Sequence, residues 1–166
     1  MRIAVYGATG YTGGLVVDEL VGQDADIVLG GRSSDKLARV AEERAGGAPH
    51  VTATVDDQSA LRELLYGCGA VVNCAGPFTL AGEAVVRAAI EVGCHYVDST
   101  GEQPYIRAVF DRHGPEAERR GVALIPALGF DYAPGDCLAR LAARGLEPLD
   151  EVEMAYAIQG FGATRG

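Results

Sequence analysis

The sequence predicts an α/β fold in which a doubly wound parallel sheet carries helices on both faces. Six short segments rich in β-branched or apolar residues recur at intervals of 19 to 27 residues, and stretches with helical periodicity separate them. Such alternation is typical of parallel sheets, because each parallel connection needs a crossover that a helix provides. The strands are apolar on both faces, as expected of strands covered from both sides. We expect right-handed crossovers and the strand order 3-2-1-4-5-6.

The predicted strands are short, and apolar residues at helical spacing mark the interval after each of the first five. Ser34 and Asp57 are predicted helix N-caps, and Gly93 follows a helical stretch as a stop signal. Pro134 is placed to be the first residue of another helix. The predicted strands are Ile3–Tyr6, Ile27–Gly30, Val51–Val55, Ala70–Cys74, His95–Asp98 and Val122–Pro126.

Composition narrows the class of protein. The chain has 166 residues, 48% of them hydrophobic, so it can bury a sizeable core. Its net charge is −9, which disfavours anionic partners. Nucleic acids and anionic membranes bind cationic faces, and no apolar run approaches the ~20 residues of a membrane span. Nothing in Met1–Gly7 resembles a signal peptide, and the four cysteines lack metal-site spacing. We expect a cytoplasmic protein with no metal, no nucleic-acid partner and no membrane insertion.

A glycine motif, Gly-Ala-Thr-Gly-Tyr-Thr-Gly, follows the first strand directly and opens the first helix. Gly7 and Gly10 permit a tight turn and close approach of the backbone to a diphosphate, while Gly13 lets the helix pack near the strand. A glycine-rich turn without a ligand is the alternative, but the strand–loop–helix context favours a dinucleotide site of the Rossmann type. The predicted cofactor-binding residues here are Gly7, Thr9, Gly10, Tyr11, Thr12 and Gly13.

The end of the second strand indicates which dinucleotide binds. NAD-binding folds place an acidic residue there for the ribose 2′-hydroxyl, but no carboxylate stands at this strand tip. Arg32 can pair with a 2′-phosphate, with a hydroxyl from Ser33 and charge from Lys36. An ordinary solvated pair of cations is the alternative. We predict NADP as the cofactor, bound in part by Arg32 and Ser33.

Two further strand ends contribute predicted cofactor contacts. Asp56 closes the third strand, where it can accept a hydrogen bond from the adenine amino group, while Asp57 caps the next helix. Small residues follow the fourth strand and let a cofactor lie across the sheet, and Phe78 is placed to line the nicotinamide side. The residues predicted to bind cofactor after the fourth strand are Asn73, Ala75, Gly76, Pro77 and Phe78.

Two segments are candidates for the substrate side of the crevice, Tyr96–Glu102 and Gly129–Asp136. They contain side chains capable of proton transfer, but Asp and Ser at strand tips are more often caps, so no catalytic residue is assigned. The four side chains in question are Tyr96, Asp98, Asp131 and Tyr132.

These motifs, in this order, resemble the NADP-binding domain of the saccharopine dehydrogenase-like proteins, which include the trans-acting enoyl reductases. The resemblance spans almost the whole chain and rests on the glycine motif, Gly31-Arg32, Asn73–Phe78, Tyr96–Asp98 and Gly129–Asp131 with Pro134 and Asp136. It implies an NADP-dependent oxidoreductase acting on a small molecule, either an enoyl or lipid compound or an amino-acid derivative. Saccharopine chemistry is disfavoured, because no Lys or Arg constellation for a dicarboxylic amino acid is present.

The resemblance also implies a second domain that shapes the substrate site and mediates pairing. We predict an NADP-binding domain over residues 1–145 and the start of a second domain over 146–166, with Glu151–Gln159 as an amphipathic strand. An antiparallel edge strand of the main sheet explains this alternation equally well. We expect the 166 residues alone to be inactive and a homodimer to form through the second domain. A non-enzymatic NADP(H) sensor is the competing function, since no Tyr-x-x-x-Lys pair is present.

Overall fold

The computed structural model describes residues 1–130, 132–146 and 148–157. Within them, six strands form one sheet in which all five neighbouring pairs are parallel. The strands are β1 (Arg2–Tyr6), β2 (Ile27–Gly31), β3 (His50–Thr52), β4 (Cys68–Asn73), β5 (His95–Asp98) and β6 (Leu124–Ile125). Their order is β3-β2-β1-β4-β5-β6, so the predicted Rossmann-type doubly wound fold is confirmed.

Helices connect the strands and cover the sheet. The helices are α1 (Tyr11–Gly22), α2 (Ser34–Arg44), α3 (Gln58–Leu65), α4 (Phe78–Val92), α5 (Gln103–Ala108), α6 (Gly114–Arg120) and α7 (Ala133–Ala143), and a π-helical turn (Val109–His113) joins α5 to α6. Among the described residues, no helix has the length and apolar character that a membrane span requires.

Two hydrophobic cores lie on opposite faces of the sheet, because successive side chains of a strand point to opposite sides. Val5 of β1 belongs to the core beneath α1 and α2, together with Val17, Leu29 and Leu37. Its neighbours Ala4 and Tyr6 belong to the larger core beneath α3, α4 and the elements that follow. The parallel sheet is thus covered from both sides around β1, which explains its continuous apolar strands.

The ends of several elements differ from the predictions. β3 stops at Thr52 and β6 contains only Leu124–Ile125, because each is an edge strand with one neighbour to pair with. The Asp57 cap is confirmed, since its carboxylate accepts from the Ala60 N–H at 2.9 Å. The Ser34 cap is wrong, because α2 already includes Ser34.

The strand predicted over Glu151–Gln159 is not formed in residues 151–157, while residues 158 and 159 lie outside the described part of the chain. No strand of the described sheet pairs beyond β6, so the alternating side chains have no ladder to join. The edge-strand interpretation is therefore wrong for 151–157, whereas the first strand of a second sheet stays a prediction, because its partners would not belong to this sheet. The division into two domains stays a prediction.

Gly13 lies where α1 packs against the backbone of the loop that follows β1. A Cβ atom built there would lie 2.9 Å from Ala8 Cα and closer still to the Gly7 carbonyl, and both are backbone groups that cannot rotate away. In the same helix, a Cβ on Gly22 would meet nothing within 4 Å.

We expect Gly13→Ala to lower the free energy of unfolding by about 1–3 kcal/mol, because the helix must move off the strand. Gly22→Ala is the matched control, and it should leave stability unchanged or raise it by up to ~1 kcal/mol through helix propensity. Chemical denaturation of the two variants measures both values. Equal effects at the two positions would contradict the close approach.

Candidate functional site

A cleft of about 500 Å³ opens at the carboxyl edge of the sheet, where the strand order reverses between β1 and β4. Ligands of open α/β sheets bind at this switch point. The loops after four strands surround the cleft. Its lining comprises Tyr6, Gly7, Thr9, Gly10, Tyr11, Thr12, Gly31, Arg32, Thr54, Val55, Asp56, Cys74, Ala75, Gly76, Pro77 and Ala81.

The glycine loop forms the floor of the cleft with its backbone. Gly7 has a φ of +82°, in the left-handed region, and a Cβ atom there would lie 2.9 Å from the backbone of Ala75 and of Cys74. The N-cap residue of α1 is Gly10, which has no side chain to cap the helix, and the first turn contains no acidic residue. The N–H groups at the start of α1 are therefore left to an anion in the cleft.

Arg32 lines the cleft at the end of β2, and Asp56 lines it after β3. Arg32 is exposed, and within the described residues no carboxylate pairs with it. Ser33 precedes α2 and does not line the cleft, although it was predicted to. The guanidinium thus borders the cleft without a carboxylate partner among the described residues, so it is available to bind an anionic ligand.

Tyr6 was not predicted at the site, although it lines the cleft together with these two charged side chains. Its hydroxyl donates to the Ala53 carbonyl at 3.1 Å. Burial raises the pKa of this hydroxyl, the positive charge of Arg32 opposes the change, and the negative charge of Asp56 adds to it. Tyr6 is therefore a neutral wall of the cleft at physiological pH.

The loop after β4 contributes Cys74, Ala75, Gly76 and Pro77 to the opposite wall. Burial, with a smaller contribution from Asp98, raises the pKa of the Cys74 thiol to about 12. A thiol with that pKa is protonated at neutral pH and is a poor nucleophile.

Three predicted cofactor residues besides Ser33 lie outside the lining. Gly13 is buried under the loop and serves helix packing. Asn73 is fully buried, which excludes direct contact of its side chain with a ligand in the cleft. Phe78 begins α4 and packs against the ring of Tyr105, with ring centroids 5.8 Å apart, instead of facing the cleft.

The prediction missed further lining residues that adjoin predicted ones. Thr54 and Val55 precede Asp56 where the chain leaves the short β3, Gly31 precedes Arg32, and Ala81 lies in the first turns of α4. The rule that ligands collect at strand carboxyl ends identifies all but Ala81, which only the position of α4 reveals.

The two candidates for proton transfer on β5 are buried and bonded to each other. The Tyr96 hydroxyl donates to Asp98 at 2.7 Å, and burial raises its pKa well above the ordinary value. The Asp98 carboxylate also accepts from the N–H groups of Thr100 and Ala127, both at 2.9 Å. Asp98 thus accepts hydrogen bonds from backbone N–H groups of two loops, the structural role that is commoner for Asp at strand tips. Asp131 lies outside the described residues.

A second, apolar groove of about 390 Å³ runs between α1 and the face of β4 and β5. It meets the cleft at Thr12 and Cys74, which line both. The apolar side chains along it are Leu15, Val16, Leu20, Val72, Val97 and Leu128.

Comparison with protein families decides what kind of cleft this is. Residues 3–125 match the family described as the saccharopine dehydrogenase NADP binding domain. The chain belongs to this family. The match runs from β1 to β6 and includes every residue that lines the cleft, so the predicted family and its cofactor, NADP, are both confirmed.

Relatives in several organisms share this family. The chain is 34% identical over 145 residues to a lipid droplet localized protein of Caenorhabditis elegans and 34% identical over 139 residues to a trans-acting enoyl reductase of Mycobacterium leprae. It is 31% identical over 152 residues to the human saccharopine dehydrogenase-like oxidoreductase. Each comparison covers 81% of this chain but only 33–35% of the relative, so the chain spans about a third of their length.

Solved structures agree on the fold. Apo saccharopine dehydrogenase (L-Glu forming) from Saccharomyces cerevisiae superposes with a TM-score of 0.70 at 20% identity, covering 84% of this chain and 30% of that one. Triphenylmethane reductase of a Citrobacter species, complexed with NADP(H), superposes with a TM-score of 0.58 at 22% identity, covering 75% and 48%.

Glu102 holds the start of α4 beside the cleft. Its carboxylate accepts from the backbone N–H groups of Phe78 at 2.7 Å and Thr79 at 2.8 Å, and from the Thr79 hydroxyl. The N-cap residue of α4, Pro77, provides no side-chain hydrogen bond, so Glu102 caps this helix from another element. Burial tends to raise the pKa of Glu102, but the hydrogen bonds from Thr79 and Phe78 outweigh it and lower that pKa below 4.5.

We expect Glu102→Gln to lower the thermal unfolding temperature at pH 7, and we expect the difference from wild type to shrink as the pH falls below 4.5. The pKa is lower in the folded chain than in the unfolded one, so this stabilisation is complete above 4.5 and is lost as the pH falls through the folded-state value. Circular dichroism melts between about pH 7 and 3 measure the difference. Glu63→Gln, on the exposed side of α3, is the control; a pH-independent effect of Glu102→Gln would contradict the cap.

Proposed function

We propose that this domain holds NADP(H) across its cleft as part of an oxidoreductase that transfers hydride between the nicotinamide and a small-molecule substrate. The observation that carries the proposal is the juxtaposition of an uncapped helix N-terminus and the exposed Arg32 in one cleft at the switch point. These two features supply cationic or N–H partners for a diphosphate and for a 2′-phosphate.

The residues present fit the dinucleotide. The close contacts of Gly7 keep side chains off the floor, so that the backbone can approach a diphosphate. Arg32 lies on the β2 side for the 2′-phosphate, and Asp56 lies nearby for the adenine amino group. The loop Cys74–Pro77 lies on the β4 side, where the nicotinamide half extends. The cleft volume is in the range of ligand sites in proteins.

Bound NADP supplies the hydride chemistry, and the side chains of this domain bind and orient it. Within the described residues, the groups beside the cleft with a raised pKa, Tyr6 and Cys74, are neutral at physiological pH. The rest of the protein provides the other wall of the substrate site, in keeping with relatives about three times as long.

For the substrate we propose an enoyl or other lipid-derived compound ahead of an amino-acid derivative. The apolar groove adjoins the cleft at Thr12 and Cys74, and an acyl chain suits such a lining better than a charged amino acid does. The names of the Mycobacterium leprae and Caenorhabditis elegans relatives are consistent with lipids. A cytoplasmic location and pairing through a second domain stay predictions.

Cofactor preference tests the role of Arg32. We expect Arg32→Ala to weaken NADP binding roughly ten- to hundredfold, the equivalent of a charge-assisted contact worth about 1.5–3 kcal/mol. NAD lacks the 2′-phosphate, so its affinity should change less than about threefold, and the NADP preference of the wild type should shrink as salt rises.

Arg39→Ala, which removes the same charge from an exposed position on α2 outside the cleft, is the control and should leave both affinities unchanged. Titration calorimetry of wild type and both variants with each nucleotide at two salt concentrations measures these affinities. Equal losses of NAD and NADP in Arg32→Ala would show that Arg32 does not recognise the 2′-phosphate.

Gly10→Val tests the glycine loop itself. Gly10 has φ −85° and ψ 173°, which any residue adopts, and a Cβ atom there meets only the Gly7 carbonyl at 3.4 Å. The variant should therefore fold, with an unfolding free energy within about 1 kcal/mol of wild type. Its branched side chain enters the cleft, so NADP affinity should fall at least about tenfold. Unchanged NADP affinity in the folded variant would show that the diphosphate does not bind at this loop.

A further inference from the structure

A chain of buried hydrogen bonds links the cleft wall after β4 to the end of β5. The Ala75 N–H donates to Asn73 Oδ1 at 3.0 Å, and Asn73 Nδ2 donates to the Tyr96 hydroxyl at 3.0 Å. That hydroxyl lies 2.7 Å from Asp98 Oδ2 and 2.8 Å from the Tyr105 hydroxyl. Asn73, Tyr96 and Asp98 are each at most 1% exposed, so no solvent competes for these bonds.

The direction of each bond follows from the chemistry of the groups. The Asn73 amide is fixed because its oxygen faces the Ala75 N–H, so its nitrogen must donate to Tyr96. The Asp98 carboxylate accepts, so Tyr96 spends its one proton on Asp98. The Tyr105 hydroxyl therefore does not receive the Tyr96 proton, and it forms a side branch of the chain. Removing the Tyr96 hydroxyl breaks the link to Ala75, whereas removing the Tyr105 hydroxyl leaves it intact.

The loop Cys74–Pro77 is held at its start by β5 and at its end by the segment that follows β5. At its start, Asp98 acts through Tyr96 and Asn73 on the Ala75 N–H. At its end, Glu102 binds the N–H groups that follow Pro77. Further hydrogen bonds connect Asp98 with Glu102. Asp98 accepts from the Thr100 N–H, and the Thr100 hydroxyl accepts from the Glu102 N–H at 3.1 Å.

We propose that Asp98 and Tyr96 are positioning residues for the cofactor: through Asn73 they set the cleft wall Cys74–Pro77 against which the nicotinamide half of NADP(H) lies. Neither lines the cleft itself, and both are at most 1% exposed, although Asp98 also borders the adjoining apolar groove. The proposal rests on the proposed function, since it assigns the β4 side of the cleft to the nicotinamide half. It predicts that loss of the link weakens a ligand that reaches this wall more than one that does not.

The test compares two ligands with two matched Tyr→Phe variants of the full chain. NADPH carries both halves of the dinucleotide, whereas adenosine 2′,5′-bisphosphate carries only the half that Arg32 recognises. In Tyr96→Phe, we expect NADPH affinity to fall roughly tenfold and adenosine 2′,5′-bisphosphate affinity to change less than about threefold. Tyr105→Phe should bind both ligands like wild type. Hydrogen exchange of residues 74–79 should accelerate in Tyr96→Phe and not in Tyr105→Phe.

The outcomes separate the possibilities. If wild type binds neither ligand, the proposed function fails, and the positioning role fails with it. If wild type binds both ligands and Tyr96→Phe binds NADPH equally well, or loses both ligands equally, the positioning role alone is overturned. Should Tyr96→Phe not fold, Asn73→Ala removes the same link with a smaller side chain and must show the same selective loss of NADPH. If neither variant folds, the chain of bonds serves folding and the proposal is overturned.

Discussion

Three backbone segments meet without room for side chains at the carboxyl end of β1, and the site depends on this contact. Gly7 touches the backbone after β4, and Gly13 brings the start of α1 against Gly7 itself. Since no side chain separates the segments, the floor of the cleft is made of peptide groups, with the uncapped N-terminus of α1 pointing along it.

The two walls differ in chemistry. On the β2 and β3 side, Arg32 and Asp56 are exposed and can reorient toward a ligand. On the β4 and β5 side, Asn73, Tyr96 and Asp98 are buried with their hydrogen bonds complete, and no buried polar side-chain atom of the described residues lacks a partner. Charged groups in contact with water suit recognition of a phosphate, whereas satisfied buried groups suit the fixed placement of a wall. In the function that we propose, the exposed end of the cleft selects the cofactor and the buried end holds its position.

Agreement between sequence and structure is best where a local rule applies. The glycine motif, Arg32 at the end of β2 and the Asp57 cap are each predicted from residues adjacent in sequence. The structure places the glycine loop and Arg32 in the cleft and forms the cap. The lengths of β3 and β6 disagree because an edge strand ends where its single neighbour stops pairing, which no local pattern records. Residues Glu151–Gln159 alternate between polar and apolar side chains like a strand, but a strand also needs a neighbouring strand to pair with, which alternation in one segment does not reveal.

The sequence by itself determined the class of fold, the strand order, the family and the cofactor, NADP. Periodicity and glycine spacing are local properties that constrain the fold directly, and the order of the motifs carries the resemblance to the family. Only the tertiary structure decided which side chains reach the cleft. Asn73 and Phe78 stand next to cleft residues in sequence, yet one turns into the Tyr96–Asp98 network and the other onto Tyr105. Their partners lie more than 20 residues away, and packing against distant residues, not position in the motif, sets the direction of a buried side chain.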